Sequence, residues 1–390
     1  MSKTICLSMI VKNEAHIILT TLKNICDTVP ISYWVISDTG STDATKETIN
    51  SFFKERNIPG ELVEHQWKDF AYNRSKALEC AFNKTDYLMI FDADDSIVGK
   101  ITLPKWKEDK YMAKFGQNFS YARPLFVTNR KPWHYTGVLH EYLDAKEPRS
   151  STLLEGDYYI VSGRLGARSK NVNKYADDAK VLSEAYETEP DKALKTRYAF
   201  YCGQSYKDAK QEEESIVWYE KCLTLNGWDQ ERYYACLQLG EMYANKKDME
   251  MAQFYWCKSC QYDTERIEGI IHVMEYLYAK GNHVLINAMY HKWKDYNRNP
   301  KDKLFIRLDL YEYHLEYYNS VSAFYAKDFY SGYVCCKQLI MHGKDKGRVD
   351  SAIKNLVFYN PHVKKDKHFM SILRKRDDVP ESILTELTKN

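Results

Sequence analysis

The sequence predicts an α/β domain built on a parallel sheet, followed by an all-α helical domain. Three observations predict this. Up to about residue 145, short apolar runs alternate with amphipathic segments, the rhythm of strand–helix–strand units. From about residue 172 the pattern is almost wholly helical and rich in Tyr. Within that second part "YCGQSYKDAKQEEESIVWYEKCL" (201–223) lies over "LQLGEMYANKKDMEMAQFYWCKS" (237–259), with Gly203/Gly240, Tyr206/Tyr243 and Trp218/Tyr255 in register. Repeats of this length bury their faces only against neighbours, so they imply a helical array.

The elements follow in order. "TICLSMIV" (4–11) reads as a strand and "EAHIILTTLKNIC" (14–26) as a helix with Ile17, Ile18, Leu22 and Ile25 on one side. "ISYWVIS" (31–37) is a second strand, ending in a turn at Asp38-Thr39-Gly40, after which Ser41 or Thr42 caps a helix. "ELVEHQW" (61–67) is a third strand, "FAYNRSKALECAFNK" (70–84) a helix and "DYLMIF" (86–91) a fully buried fourth strand. "FSYARPLFVT" and "HYTGVLHEYL" read as strands of a mixed or antiparallel section. "HVMEYLYAKGNHVLINAMYHKW" (272–293) supplies a looser third helical copy.

Bulk properties narrow the function. The chain has 390 residues, enough for more than one core. Its formal charge is +2, so no global field draws nucleic acid or an anionic membrane, and nucleic acid is not expected as a partner. No apolar run reaches the roughly 20 residues of a membrane helix. The start, Met1-Ser2-Lys3-Thr4, runs straight into a strand with no secretory leader. Ten cysteines without scaffold spacing read as free thiols of a reducing compartment, and the location expected is cytoplasmic. Cys257-Lys-Ser-Cys260 is a lone CxxC read as part of a packed helix face.

The chemistry gathers at strand ends. In parallel α/β sheets ligands bind outside the carboxyl ends of the strands. Lys12-Asn13-Glu14 follows strand one, Asp38 strand two, and Asp92-Ala93-Asp94-Asp95 strand four. Carboxylates so crowded repel one another unless a positive charge sits among them. Asp-x-Asp after a buried strand suits a hard divalent cation, Mn²⁺ or Mg²⁺, carrying a diphosphate.

"LSMIVKNEAHII", "VISDTGSTDAT", "FAYNRSKAL" and "YLMIFDADDSI", in this order and spacing, resemble glycosyltransferase family 2, which has the GT-A fold. The resemblance covers roughly residues 3 to 145. The following "WHYTGVLHEYL", "GARSKNVNKYADDAKVL" and tetratricopeptide-like helices are similar to the members with a helical extension. The expected organisation is a GT-A domain in residues 1–165 and a helical domain in 166–390. The resemblance implies a hexosyltransferase-type enzyme: metal-dependent, inverting, and taking a nucleoside-diphosphate sugar, a UDP-sugar before others, to a glycan, protein or small-molecule acceptor.

It also implies roles. The main chain at Val11 and the side chains of Asn13 and Glu14 line the nucleotide pocket, Asp38 meets the base, and Arg74 holds the nucleotide or braces the acidic loop. Asp92 lies on the ribose side, Asp94 is the chief metal ligand, and Asp92 and His140 complete the metal set. Glu141 is the candidate base, with Asp95 and Asp157 as rivals. Arg168 is expected to reach the diphosphate. Trp133 and Tyr135 form either a sugar platform or core. The helical domain either positions the acceptor or mediates homo-oligomerisation. Two other readings compete. A catalytically inactive scaffold conflicts with the full set of carboxylates, and a nucleotidyltransferase conflicts with the lack of glycine in "SMIVKNEAHI".

Overall fold

The computed structural model describes residues 3–117, 119–145, 150–163, 166, 171–300 and 303–389. The chain forms two compact units, Met1–Trp228 with Leu304–Ile306, and Asp229–Lys303 with Arg307–Asn390.

In the first unit, strands β1 (Ile5–Val11), β2 (Tyr33–Asp38), β3 (Gly60–Glu64) and β4 (Tyr87–Ile90) alternate with helices α1 (Ile18–Thr28), α2 (Thr45–Glu55) and α3 (Phe70–Ala81). Next come β5 (Ser96–Ile101), β6 (Lys110–Phe115), β7 (Phe119–Thr128), β8 (His134–Thr136), β9 (Tyr142–Asp144), β10 (Ser151–Leu153) and β11 (Gly156–Val161). The main sheet runs β3-β2-β1-β4-β7-β6-β11-β5, with β10 beside β6. The first four strands are mutually parallel, and β7 joins β4 antiparallel.

Both faces of this sheet are covered, which is why its strands are continuous apolar runs rather than alternating ones. Successive side chains point to opposite faces. Ile5, Leu7, Met9, Tyr87 and Met89 pack with Ile18, Leu22 and Ile25 of α1. Cys6, Val35, Leu88 and Ile90 pack with Leu78 and Ala81 of α3. Trp133 belongs to that second core and donates from Nε1 to Thr128 O at 2.9 Å, so it packs rather than offering a platform.

Two local expectations need correction. Neither Ser41 nor Thr42 caps α2; its N-cap is Ala44, with no side-chain cap. The loop after β1 competes for these groups: Asn13 N donates to Ser41 Oγ at 2.9 Å, and Thr42 N donates to Asn13 Oδ1 at 2.8 Å. "HYTGVLHEYL" is not one strand but a hairpin, β8 pairing antiparallel with β9. Gly137, at φ +106°, turns the chain between them.

Helices α4 (Lys174–Thr188), α5 (Lys192–Asp208) and α6 (Glu212–Thr224) also belong to the first unit. The last strand of this unit ends at Val161 and its first following helix begins at Lys174, while the compact unit itself runs on to Trp228. The second unit comprises α7 (Asp229–Asn245), α8 (Met249–Ser259), α9 (Glu268–Ala279), α10 (His283–Trp293), α11 (His314–Tyr325), α12 (Phe329–His342), α13 (Lys346–Asn355) and shorter helices to Thr388. The paired motifs share one packing device: a Cβ on Gly203 would lie 2.9 Å from the Tyr219 ring, and one on Gly240 2.3 Å from the Trp256 ring. Among the described residues no helix is long and apolar enough to cross a membrane. All ten cysteines are free; Cys257 is exposed and Cys260 half-buried.

The second unit carries a pH dependence. Burial and the neighbouring Arg348 guanidinium push the His314 imidazole down to about 4. Nitrogens of Arg348 lie 3.0 Å from Nδ1 and 2.6 Å from Nε2. The unfolded chain therefore binds the proton first as pH falls below 6.5, and stability drops between pH 6.5 and 4. The expected loss is up to about 3 kcal/mol. Urea unfolding across this range should show it, with a shallower slope in His314→Asn.

Candidate active site

The ends of β1, β2 and β4 bring three polar loops to one edge of the sheet. After β2, Asp38 is 1% exposed. Its Oδ1 accepts from Gly40 N at 2.9 Å and Ser41 N at 2.8 Å, whereas its buried Oδ2 has no hydrogen-bond partner among the described residues. A buried orphan acceptor costs about 1–3 kcal/mol unless a donor meets it, which fits a ligand N–H or O–H at this point. After β1, Val11 O accepts from Thr39 N at 2.9 Å and Thr39 Oγ at 3.1 Å. Asn13 adopts φ +58°, a conformation its short polar side chain tolerates, and Glu14 N donates to Thr45 Oγ1 at 2.8 Å. These bonds weld the first two loops together.

After β4 the three aspartates have separate environments. Asp92 lies between two guanidinium groups: Arg74 Nη2 is 2.6 Å from Oδ1 and Arg123 Nη2 is 3.1 Å from Oδ2. Burial opposes ionisation, but Arg74 and Arg123 hold the carboxyl well below the usual range. Arg74 Nε also lies 2.7 Å from Glu141 Oε1, an ion pair not aligned as a hydrogen bond. Its guanidinium faces the Tyr135 ring at 5.6 Å. Asp95 is 3% exposed and accepts from Gly163 N at 3.0 Å. Burial and the charge of Asp92 push its carboxyl up to about 7, against the pull of Arg123 3.9 Å away.

Asp94 is half-buried, and its Oδ2 accepts from Gly166 N at 3.1 Å. A Cβ on Gly166 would lie 2.9 Å from Asp94 Oδ2 and 3.4 Å from Glu14 Oε1, so two carboxylates approach one point. This donor set of hard oxygens fits a divalent cation. Gly166→Ala should press on Asp94 and weaken Mn²⁺ binding about tenfold, by analogy with losing a group that orients a metal ligand. Calorimetric titration with Mn²⁺ measures it.

The sequence-derived residues divide as follows. Asp38, Asn13, Glu14, Arg74, Asp92, Asp94, Asp95 and Glu141 lie on this edge or on groups bonded to it. His140 is exposed, its ring stacked on Tyr201 at 4.0 Å. It makes no metal-holding group with Asp92 and Asp94; among the described residues no three His, Cys, Asp or Glu side chains do. The reason at Asp92 is that both its oxygens face arginines. Asp157 is exposed opposite Lys100, whereas the site end of that ladder is Ser96↔Val161. At about 3.3 Å per residue it is well removed along the strand. Arg168 lies outside the described residues.

Sequence reasoning missed Arg123, Gly163 and Gly166. Arg123 stands on β7, which pairs antiparallel with β4 at Met89↔Phe126, and from there its Nη2 reaches Asp92 Oδ2 at 3.1 Å. The two glycines follow β11 directly, where backbone approaches the acidic turn: a Cβ on Gly163 would meet Asp94 O at 1.9 Å.

Residues 6–108 match the model of "Glycosyl transferase family 2". No curated protein matches the chain. Among solved structures the chain is similar to S. aureus TarS 1–349 in complex with UDP-GlcNAc (11% identity, 66% of this chain and 91% of that one, TM-score 0.35). It is also similar to the mannosyltransferase PcManGT from Pyrobaculum calidifontis in complex with GDP-Man and Mn²⁺ (12% identity, 67% and 76%, TM-score 0.35). The matched segment holds β1 to β4 and the whole acidic turn, the elements that build the edge described above. What matches glycosyl transferase family 2 is therefore the part of the chain that carries this edge, residues 6–108.

Proposed function

We propose that this glycosyltransferase is metal-dependent and inverting. It moves a sugar from a nucleoside-diphosphate sugar, a UDP-sugar first, to a hydroxyl or other nucleophile on a glycan, protein or small molecule. The observation that carries this reading is the division of labour among the carboxylates. Asp92 is neutralised by arginines, Asp38 keeps a buried unpartnered oxygen, and Asp94 sits beside Glu14.

Asp38 Oδ2 accepts a hydrogen bond from the nucleoside, and Asp94, with Glu14 nearby, holds the cation. A bound divalent cation supplies Lewis-acid stabilisation of the charge growing on the leaving diphosphate. Glu141 takes the acceptor's proton while the acceptor oxygen bonds to the anomeric carbon and that carbon's bond to the diphosphate oxygen breaks. Attack opposite the leaving group inverts the centre without a covalent intermediate. Asp95, buried and shifted toward neutrality, is the alternative base. Asp92 fixes Arg74 and Arg123, and with Arg74 it sets where Glu141 lies. The helical domain, a tetratricopeptide-like array in this reading, presents the acceptor. The free cysteines support a reducing, cytoplasmic setting.

Calorimetry with UDP and Mn²⁺ tests the donor site. Binding that requires Mn²⁺ and weakens in Asp38→Ala is expected; absence of binding to UDP and GDP alike would remove the proposal. Proton NMR of the first product formed then reads the anomeric configuration.

A further inference from the structure

Helix α5 grips the turn that carries Glu141. Val138 N donates to Tyr198 Oη at 3.1 Å, and Arg197 Nε donates to His140 O at 2.8 Å. The Tyr201 ring stacks on His140 with centroids 4.0 Å apart and planes 7° from parallel. Arg197 also covers the rings of Tyr142 at 5.5 Å and Tyr201 at 4.9 Å. A Cβ on Gly137 would already lie 3.5 Å from Leu194 and 3.7 Å from Tyr198. One helix therefore contacts Gly137, Val138, His140 and Tyr142, the residues around Glu141, while Arg74 holds Glu141 itself.

The backbone shows why such a grip is needed. His140 stands at φ +53°, a left-handed conformation that is uncommon and costs free energy outside glycine. Its carbonyl is bonded by Arg197 and its ring is held by Tyr201, so contacts with α5 help to hold it there. Relaxing His140 to a right-handed conformation would swing the next side chain, Glu141, away from Arg74. General packing does not require this combination of two directed hydrogen bonds to main chain and a parallel ring stack on consecutive parts of one turn.

We propose that Arg197, Tyr198 and Tyr201 are positioning residues for sugar transfer. Helix α5 locks the Gly137–Tyr142 turn and thereby sets the direction of the Glu141 carboxylate. The helical segment after the sheet domain is in this sense part of the catalytic apparatus. The inference rests on the reading of Glu141 as the base.

The test uses the full chain and whichever donor it hydrolyses fastest from a panel of UDP-, GDP- and dTDP-hexoses. Arg197→Ala and Tyr201→Leu should lower kcat about 10- to 100-fold, the scale of a misplaced catalytic group, with Kd for UDP in Mn²⁺ changed less than twofold. Tyr201→Phe, which keeps the stacking ring, should retain most of the wild-type kcat. In a Glu141→Gln background, Arg197→Ala should cost nothing further, because the two act through one group. Unchanged kcat in Arg197→Ala and Tyr201→Leu overturns the proposal. So does a parallel loss of kcat and UDP affinity, or full additivity with Glu141→Gln. If Glu141→Gln alone leaves kcat intact, the base assignment fails first, and that outcome is read separately from the α5 variants.

Discussion

Arg74→Met should destabilise the first unit by about 3–5 kcal/mol, the cost of breaking a buried ion pair and stranding its partners, and should abolish measurable transfer. Two carboxylates share this guanidinium. Arg74 Nη2 lies 2.6 Å from Asp92 and Nε 2.7 Å from Glu141, and the Arg74 and Glu141 side chains are only 11% and 10% exposed. Removing the cation leaves Asp92 with Arg123 alone and Glu141 with none of this pairing. Lysine should not restore the site, since a single ammonium cannot span both carboxylates as a planar fork does. Urea unfolding and turnover of Arg74→Met and Arg74→Lys measure the two effects. A methionine variant as stable and active as wild type would show that the bridge is incidental.

Asp94→Asn should lower kcat about 10²- to 10³-fold, the scale of a few kcal/mol of lost transition-state charge stabilisation, while leaving stability within about 0.5 kcal/mol. The amide oxygen of asparagine still accepts from Gly166 N, which now bonds Asp94 Oδ2 at 3.1 Å, so the turn keeps its shape. What changes is the negative charge offered to a cation. Asp92→Asn makes the opposite pattern: it leaves Arg74 and Arg123 without the carboxylate between them and should damage stability as well as turnover. A metal titration monitored by calorimetry, run beside the kinetics, should show Mn²⁺ affinity falling in Asp94→Asn.

How far the site was legible depended on the range of the contact. Asp38 and Asp94 stand out in the sequence because each follows an apolar run long enough to be a strand, and parallel topology then sends their carboxyl ends to one edge. Arg74 was legible only through the resemblance of "FAYNRSKAL" to the family motif; the helix pattern placed it on α3, where buried Asn73 ties Gln66 O and Lys68 N to the helix start. Arg123 was not, because its opposition to Asp92 depends on antiparallel register across a separation of 31 residues. The α5 grip joins residues 57 and 60 apart in the chain, and no local pattern signals it. The split of "HYTGVLHEYL" into a hairpin was hidden for a related reason: the left-handed His140 in its turn is contacted by that distant helix.

The most direct test of the central claim, that the carboxylate edge transfers a sugar from a nucleoside-diphosphate donor, is release of free nucleoside diphosphate from a panel of UDP-, GDP- and dTDP-sugars by wild type and Asp94→Asn, each with Mn²⁺ and with chelator. Release by wild type from at least one donor, dependent on Mn²⁺ and reduced at least 100-fold in Asp94→Asn, is the expected result. No turnover of any donor in any metal, or equal turnover by the two proteins, would contradict it.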